Sequence, residues 1–434
     1  MSDSRIVRLA LALFLCRVII GAFLIPAWQG PDEPSHYVLA ELVGASKPSD
    51  AVMRADLERN VVRSMGAHQW WRGYRQATPS PPPTSFADVP EHLAYGTTLQ
   101  PVYYVLAGTI LRFISSTDID VRYFVLRMLS VLLGVATIVM GWAGARILFD
   151  PRTASIVALA ASLSPQFLVG ALAVSPEALV NAFGAFLWWQ MARFVVSGSL
   201  ASVVLTGLAA VSAAWTKRNA VPLLAAPLLL GGIAAWRKFS IDNKLLSAVG
   251  MAIGYAIAWI AVVVAFTQVP SFAPIRVFWS YTVVIREPLN ALTLRRVVDF
   301  TTGLIDSSWL VAGWLRFPAP LPWLRIVRLL TFGAGLGIPL ALIRRPHVRV
   351  PILVAFVPAL TQILATLVTG VILGGAPQGR YLFVVAAPLV ALIWIGFAEW
   401  WPEDWRWLAA PTLVAMLLAL DITGWITTLL PAYV

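Results

Sequence analysis

The chain opens with an apolar run at residues 7–27, VRLALALFLCRVIIGAFLIPA, and a polar stretch at 30–37, GPDEPSHY, follows it. An apolar run of about 20 residues is long enough to cross the hydrocarbon core of a bilayer as a helix. Arg5 and Arg8 flank its start, and positive charge favours the cytoplasmic side. We therefore expect the acids of the polar stretch to emerge on the external face. No small-x-small cleavage site follows the run, so it is predicted to remain as an uncleaved anchor.

The composition indicates an integral membrane protein. Of the 434 residues, 59% are hydrophobic and 12% are charged, and the mean hydropathy is +0.78, far outside the range of a soluble domain. The single cysteine, Cys16, excludes an intrachain disulfide and a metal site built from cysteines. The net charge of +11 lies mostly in short loops between apolar runs. Membrane orientation and lipid headgroups explain that placement, so we expect a bilayer and no nucleic acid as partner.

Positive charge also decides the predicted topology. If residues 101–114 spanned the membrane, every later loop would change side and the most basic short loops would become external. We therefore predict that this segment does not span, and that it either lies in the interface or dips into the membrane and out again. The prediction is an all-α polytopic protein, a single transmembrane domain over residues 1–434 with its C-terminus outside and about eleven spans. The spans lie near 7–27, 124–147, 153–172, 179–197, 200–215, 220–235, 245–267, 323–343, 350–373, 381–400 and 407–430.

Two long external loops are predicted between the spans. Residues 28–123 form the first, with surface helices at 35–43 and 50–65. Residues 268–322 form the second, which is rich in arginine and is expected to carry surface helices that close over a cavity as a lid. The basic loops that contain Arg146 and Arg345 are then cytoplasmic.

Asp32, Glu33 and His36 are candidates for one shared site. The two acids lie between prolines, so the backbone is stiff and their side chains diverge. If Pro34 opens a helix, His36 points back toward the acids. Two carboxylates and an imidazole suit a general base or a metal site. A polar helix cap at the membrane surface is the alternative interpretation.

Further charged residues are predicted on the same external face. Glu177 begins a helix, where an acid either caps the helix or serves a site. Lys217 and Arg218 end a short helix and either bind an anion or extend to the interface. Arg380 precedes a span on the external side, against the usual charge bias, and arginine suits bidentate phosphate binding. Anchoring of the helix beside Tyr381 is the alternative.

Several of these segments resemble one family. PDEPSH at 31–36 resembles the Pro-Asp-Glu-Pro-x-His signature of a bacterial membrane-protein family related to the GT-C glycosyltransferases. QGRY at 378–381 is similar to a second specific motif of that family. Looser matches follow the same order along the chain, at 100–104, 164–167, 177–179, 307–309 and 313–314.

The resemblance implies a function. GT-C enzymes transfer a sugar from a polyprenyl-phosphate or diphosphate donor on the external face. Catalytic roles fall to Asp32, with Glu33 beside it, and to Glu177, where relatives usually have Asp. The resemblance also implies substrate-binding roles for Arg380, Gln378, Tyr381, Lys217, Arg218, Tyr103 and Trp309. Some GT-C enzymes place a divalent cation (Mg²⁺, Mn²⁺ or Ca²⁺) between acid and phosphate, with Asp32, Glu33 and His36 as candidate ligands, and others need no cofactor.

The chemistry agrees with this assignment. A sugar hydroxyl is a poor nucleophile, so a carboxylate must take its proton, and the departing lipid phosphate needs positive charge. We therefore predict an inverting glycosyltransferase of the bacterial cytoplasmic (inner) membrane whose site faces the periplasm or exterior. Its acceptor would be a glycan, lipid or protein of the cell envelope. The alternatives are a transporter or flippase of lipid-linked sugars, which needs charges at mid-membrane depth, and a non-catalytic partner in polysaccharide assembly.

Overall fold

The computed structural model describes residues 3–45, 51–73, 79–89, 101–238, 293–312, 315–373 and 375–433. The predicted span at 245–267, the first part of the predicted loop 268–322 and the motif at 313–314 lie outside these residues. The loose match at 100–104 is described from Pro101 onward.

Helices make up almost all of the described chain. The first half forms α1 (Asp3–Leu24), α2 (Glu33–Gly44), α3 (Ala51–Ala67), α4 (Trp70–Gly73), α5 (Pro101–Phe113), α6 (Ile119–Leu148), α7 (Pro151–Leu163), α8 (Pro165–Ala171), α9 (Pro176–Ser197), α10 (Leu200–Thr216) and α11 (Ala225–Lys238). The second half forms α12 (Leu294–Trp309), α13 (Leu321–Arg344), α14 (Arg349–Leu373), α15 (Ala386–Glu399), α16 (Ala409–Gly424) and α17 (Leu430–Tyr433).

Shorter elements connect these helices. Strands β1 (Val311–Ala312) and β2 (Phe317–Pro318) pair antiparallel, with Val311 opposite Pro318. Short 3₁₀-helices occur at Phe86–Asp88, Arg218–Leu224, Pro346–Val348, Gly379–Val385 and Glu403–Leu408, and a π-turn occurs at Trp425–Leu429.

Seven helical segments of the described chain are long and apolar enough to cross a membrane. They are Asp3–Leu24, Ile119–Leu148, Pro176–Ser197, Leu321–Arg344, Pro346–Val371, Gly379–Glu399 and Glu403–Tyr433. The pair α7 and α8, bent by 66°, is an eighth if it counts as one span. The described chain is therefore an all-α membrane protein apart from the β1–β2 pair. The count of about eleven stays a prediction, because α10 and Arg218–Ile233 are shorter apolar helices and 245–267 is not described.

Caps and prolines set the starts of the central helices. Asp150, Ser164 and Ser175 each cap a helix whose first residue is a proline, and each side-chain oxygen accepts a backbone N–H of the first turn. Pro165 has no N–H to continue α7, so the chain bends between α7 and α8. This bend leads into the loop that precedes Glu177.

Polar contacts at one end of the bundle join four helix ends. Asp3, which begins α1, accepts a hydrogen bond from Trp142 Nε1 at 2.9 Å and lies 3.1 Å from Arg146 Nε at the end of α6. Glu399, which ends α15, lies 2.5 Å from Arg345 Nη2 after α13. We call this the arginine end, and the opposite end the cluster end. The basic loops with Arg146 and Arg345 thus share one end, as the predicted topology requires.

Helices α2 to α5 fill the predicted loop 28–123 at the cluster end. The helices predicted at 35–43 and 50–65 correspond to α2 and α3. Helix α5 has 13 residues, about 20 Å at 1.5 Å per residue. This is too short for a hydrocarbon core of roughly 30 Å, which agrees with the prediction that 101–114 does not span.

These loop helices have their own core. Trp28 and Trp70 are fully buried, and Trp28 Nε1 donates to Ser64 Oγ of α3 at 2.8 Å. Helices α2 and α5 touch where Gly44 meets Gly108, because a Cβ at Gly44 would lie 2.3 Å from the Gly108 carbonyl oxygen. The turn between α1 and α2 is therefore held by a packed layer.

Candidate active site

Asp32 lies in the turn between α1 and α2. Its backbone is left-handed (φ 62°), a conformation that Asp tolerates better than most residues. The Asp32 carbonyl oxygen accepts the His36 N–H at 2.9 Å, which starts α2. The side chain itself is 47% exposed, so its carboxylate is open to a substrate.

Glu33 follows Asp32 directly but lies in a different environment, where it is fully buried. Its Oε2 accepts from Gly30 N at 2.6 Å, and its Oε1 accepts from Val174 N at 2.7 Å and from Tyr123 OH at 2.9 Å. Burial raises the pKa of Glu33, although Arg127 and these hydrogen bonds oppose the rise. The carboxylate joins the turn that carries Asp32 to the loop that precedes Glu177.

Arg127 supports the same two segments and was missed by the sequence analysis. It is buried in α6 and donates to the carbonyl oxygens of Leu172 at 2.9 Å, Ile25 at 3.1 Å and Pro26 at 3.2 Å. These contacts satisfy carbonyls at the end of α1 that have no helical partner. An arginine inside an apolar span was the available signal for such a role.

Four of the predicted residues meet at the cluster end. Lys217 Nζ donates to Glu177 Oε1, and Arg380 Nε lies 3.6 Å from the same oxygen. Arg380 Nη2 lies 3.6 Å from Asp32 Oδ2. Ser175 Oγ donates to the other oxygen of Glu177. We call Asp32, Glu177, Lys217 and Arg380 the charge cluster, in which two acids balance two cations.

Exposure differs strongly within the charge cluster. The side chain of Glu177 is 7% exposed, those of Lys217 and Arg380 are 16% exposed, and that of Asp32 is 47% exposed. Glu177 is therefore enclosed by its partners, and Asp32 is the accessible acid.

His36 and Tyr104 border the charge cluster. His36 Nδ1 and Tyr104 OH share a hydrogen bond of 2.8 Å. Burial lowers the pKa of His36 to about 4, although Glu177 and Asp32 favour the charged form. Burial also raises the pKa of Tyr104. Both groups are therefore neutral near pH 7 and serve as hydrogen-bonding groups.

The segment 378–381 places Arg380 through its neighbours. Gln378 Oε1 accepts from Arg380 Nε at 2.7 Å. The Tyr381 ring has Arg380 Cζ 5.6 Å and Lys217 Nζ 5.7 Å from its centroid, within cation–π range. One aromatic ring thus holds both cations of the charge cluster.

Helix α12 fixes the backbone of this segment. Ser307 Oγ accepts from Gly379 N at 2.8 Å and donates to Pro377 O at 2.7 Å. A Cβ at Gly379 would lie 2.1 Å from Ser308 N, so only glycine allows this approach. The loosely matched motif at 307–309 therefore packs against the specific motif at 378–381.

Gln362 is a second buried polar residue that the sequence analysis missed. It is 1% exposed in the middle of α14, and its Nε2 donates to the carbonyl oxygens of Asn219 at 2.9 Å and Tyr381 at 3.0 Å. It thus joins the 3₁₀ turn after Lys217 to the one that contains Arg380.

Three further residues predicted to bind substrate are not members of the charge cluster. Arg218 is exposed. Trp309 Nε1 donates to Thr331 Oγ1 of α13 at 3.3 Å. Tyr103 is fully buried, and its hydroxyl has no hydrogen-bond partner among the described residues.

The predicted metal ligands do not fit a shared ion. Glu33 is saturated by internal donors, His36 bonds Tyr104, and Asp32 faces Arg380. Within the described ranges, no three His, Cys, Asp or Glu side chains group closely enough to hold a metal ion.

Comparisons with known proteins found one family model that matches part of the chain and several solved structures that are similar to it. Residues 106–266 match the family model of the dolichyl-phosphate-mannose-protein mannosyltransferases. The chain is similar to the oligosaccharyltransferase AglB of Archaeoglobus fulgidus solved with an inhibitory peptide and a dolichol-phosphate, with a TM-score of 0.48 and 13% identity over 96% of this chain and 55% of that one. For the apo form of the oligosaccharyltransferase from that organism, the TM-score is 0.46 and the identity 15% over 99% and 55%. The chain thus spans just over half the length of these structures. No curated protein matches it.

Proposed function

We propose that the protein is a GT-C glycosyltransferase that transfers a sugar from a polyprenyl-phosphate donor to an acceptor hydroxyl. The observation that carries the proposal is an accessible carboxylate, Asp32, beside Arg380, which shares Glu177 with a second cation, Lys217. The family match over residues 106–266 supports the same reaction class.

Asp32 acts as the general base. Its carboxylate is half exposed, and its contact with Arg380 at 3.6 Å is longer than a hydrogen bond. Glu177 suits the role less, because Ser175 and Lys217 already donate to its oxygens. Charge-assisted hydrogen bonds of that kind stabilise a carboxylate and leave it little tendency to take a proton. Glu177 instead holds Lys217 and Arg380 in place.

Lys217 and Arg380 bind the donor phosphate. The acceptor oxygen attacks the anomeric carbon while its proton passes to Asp32. The bond from that carbon to the phosphate oxygen breaks, and its electron pair leaves with the lipid phosphate, whose charge the two cations stabilise. Attack opposite the leaving group inverts the anomeric centre. Gln378 and Tyr381 keep the cations aimed at the phosphate.

Glu33 acts as a positioning residue in this scheme. It joins the turn of Asp32 to the backbone at Val174, three residues before Glu177. The base and the acid that holds the cations therefore keep a fixed separation. Positive charge at the arginine end favours the cytoplasm, which supports a charge cluster on the periplasmic or external side of a bacterial inner membrane. The acceptor is then a cell-envelope glycan, lipid or protein.

A transporter of lipid-linked sugars is the second candidate. The observation that favours it is an ion pair inside the bundle, between Arg17 of α1 and Asp421 of α16, whose side chains are 9% and 8% exposed. The sequence analysis did not predict this pair. Charged groups within spans are typical of substrate pathways, but this pair also satisfies the Ser162 carbonyl at the end of α7, a structural use.

One experiment separates the candidates. Purified protein in nanodiscs is incubated with a panel of polyprenyl-phosphate sugars and acceptors, and free polyprenyl phosphate is measured. The proposal expects its release together with a glycosylated product whose anomeric configuration is inverted. Passage of intact lipid-linked sugar across liposomes without release would establish transport instead. If neither release nor passage is detected, a non-catalytic assembly partner is favoured.

A further inference from the structure

A group of arginines surrounds one buried carboxylate at the arginine end. Glu399, at the end of α15, is fully buried as a side chain. Arg345 Nη2 lies 2.5 Å, Arg406 Nη2 3.5 Å and Arg344 Nη1 3.9 Å from its oxygens. We call these four residues the Glu399 site. Three guanidinium groups around one carboxylate leave an excess of positive charge within these four residues, which the nearby carboxylates of Asp150 and Glu403 reduce in part.

Part of that charge is available to a ligand. The Arg344 side chain is 57% exposed, and its contact with Glu399 at 3.9 Å is too long for a hydrogen bond. The Arg406 side chain is 27% exposed, and its Nε–H has no acceptor in the described part of the chain. Guanidinium groups in this state bind phosphate oxygens well, because their planar fork matches two oxygens at once.

Tryptophans surround the Glu399 site. Trp400, Trp405 and Trp407 are 55%, 61% and 65% exposed. Exposed tryptophans at helix ends mark the level of the lipid headgroups. The 3₁₀ turn that carries Trp405 and Arg406 is also anchored, because Arg152 Nη2 donates to the Trp407 carbonyl oxygen at 2.7 Å. The site therefore presents a fixed cationic surface beside apolar rings.

We propose that the Glu399 site binds the phosphate of an anionic phospholipid. Basic pockets between the ends of membrane helices are suited to such headgroups. A lipid uses both parts of the surface, since its phosphate meets Arg344 and Arg406 while its glycerol and upper acyl chains lie against the tryptophan rings. A soluble phosphate would leave the exposed rings without a partner. The site is at the opposite end of the bundle from the charge cluster, so this binding is separate from the donor lipid.

The test measures lipid retention. The protein is purified in detergent and titrated with phosphatidylglycerol or phosphatidylcholine, and bound lipid is counted by native mass spectrometry. We expect phosphatidylglycerol to bind more tightly. Arg344→Gln should weaken it by about fivefold, the effect of one interfacial charge, whereas Arg344→Lys should keep most of the preference.

Arg193→Gln is the matched control, because Arg193 is an exposed arginine near the same end that lies 5.7 Å from the Trp189 ring centroid. It should not change the preference. Arg406→Gln should act like Arg344→Gln, and circular dichroism verifies that each variant is folded. Since Arg344 is exposed, its variants keep the test valid if Arg406→Gln fails to fold.

Three results would overturn the proposal. The first is equal binding of the two lipids, and the second is an equal loss in Arg193→Gln and Arg344→Gln. The third is displacement of phosphatidylglycerol by glycerol phosphate at concentrations similar to that of the lipid, which would show a site for a soluble anion.

Discussion

Replacing Glu33 by glutamine perturbs a side chain whose two oxygens accept three hydrogen bonds. Oε2 accepts from Gly30 N at 2.6 Å, and Oε1 accepts from Val174 N at 2.7 Å and Tyr123 OH at 2.9 Å. An amide has one oxygen, so at least one of these donors then meets an NH₂ group. The loss of a hydrogen bond to a charged group, together with an unsatisfied buried donor, costs roughly 2–4 kcal/mol. Glu33→Gln should lower the free energy of unfolding by about that amount.

The same substitution should have a small effect on chemistry. If Glu33 only positions Asp32 and Glu177, the folded fraction of Glu33→Gln keeps at least about one tenth of the wild-type rate of donor cleavage, since loss of a true general base costs about 10²- to 10⁴-fold. The assay measures thermal unfolding and polyprenyl-phosphate release on the same nanodisc samples. Glu41→Gln is the control, because Glu41 also accepts two hydrogen bonds in α2, from Tyr37 OH and Arg122 Nη1.

A particular combination would refute this reasoning. If Glu33→Gln unfolds like the wild type but loses donor cleavage by more than about 100-fold, Glu33 takes part in catalysis, as the sequence analysis predicted.

Three further changes test other contacts. The pKa of His36 is about 4 in the folded protein and 6.5 when unperturbed, so the unfolded chain takes up the proton first as the pH falls. The free energy of unfolding should therefore fall by about 3 kcal/mol between pH 6.5 and pH 4. Denaturant titrations of His36→Gln should show a flatter pH profile, and an unchanged profile would contradict the assignment. Gln362→Leu leaves the Asn219 and Tyr381 carbonyls without their donor, so the KM for the donor should rise about tenfold with a smaller change in kcat; a change in kcat alone would contradict a positioning role. Gly379→Ala places a Cβ 2.1 Å from Ser308 N, whereas Gly375→Ala places one 3.6 Å from its nearest atom; donor affinity should fall in the first variant only, as measured by equilibrium binding.

The charge pattern carried much of the site prediction. Basic loops at alternate ends of apolar runs fixed which residues share a face, and the structure brings Asp32, Glu177, Lys217 and Arg380 together there. The motif matches gave only the order of 307–309 and 378–381 along the chain and did not show that these two segments touch. Their contact through Ser307 and Gly379 depends on how α12 packs, which local sequence does not encode.

Other features depend on long-range contacts. Asp32 and Glu33 are neighbours in sequence, yet they differ in exposure. The left-handed turn at Asp32 leaves the Asp32 side chain half exposed and buries that of Glu33. Arg127 and Gln362 look like isolated polar residues in apolar spans, and their partners lie 45 and 143 residues away in sequence. A buried polar group must find a partner, so such residues predict a contact without naming it. The partner becomes known only when the helices are packed.

The most direct test of the account is the rate of polyprenyl-phosphate release by Asp32→Asn, measured with donor affinity in the same nanodiscs. Asp56→Asn, at a half-exposed aspartate of α3, is the control. The account predicts that Asp32→Asn binds the donor within a few-fold of wild type, unfolds at the same temperature and releases lipid phosphate about 10²- to 10⁴-fold more slowly, while Asp56→Asn behaves as wild type. Release by Asp32→Asn at the wild-type rate would contradict the assignment of Asp32 as the base.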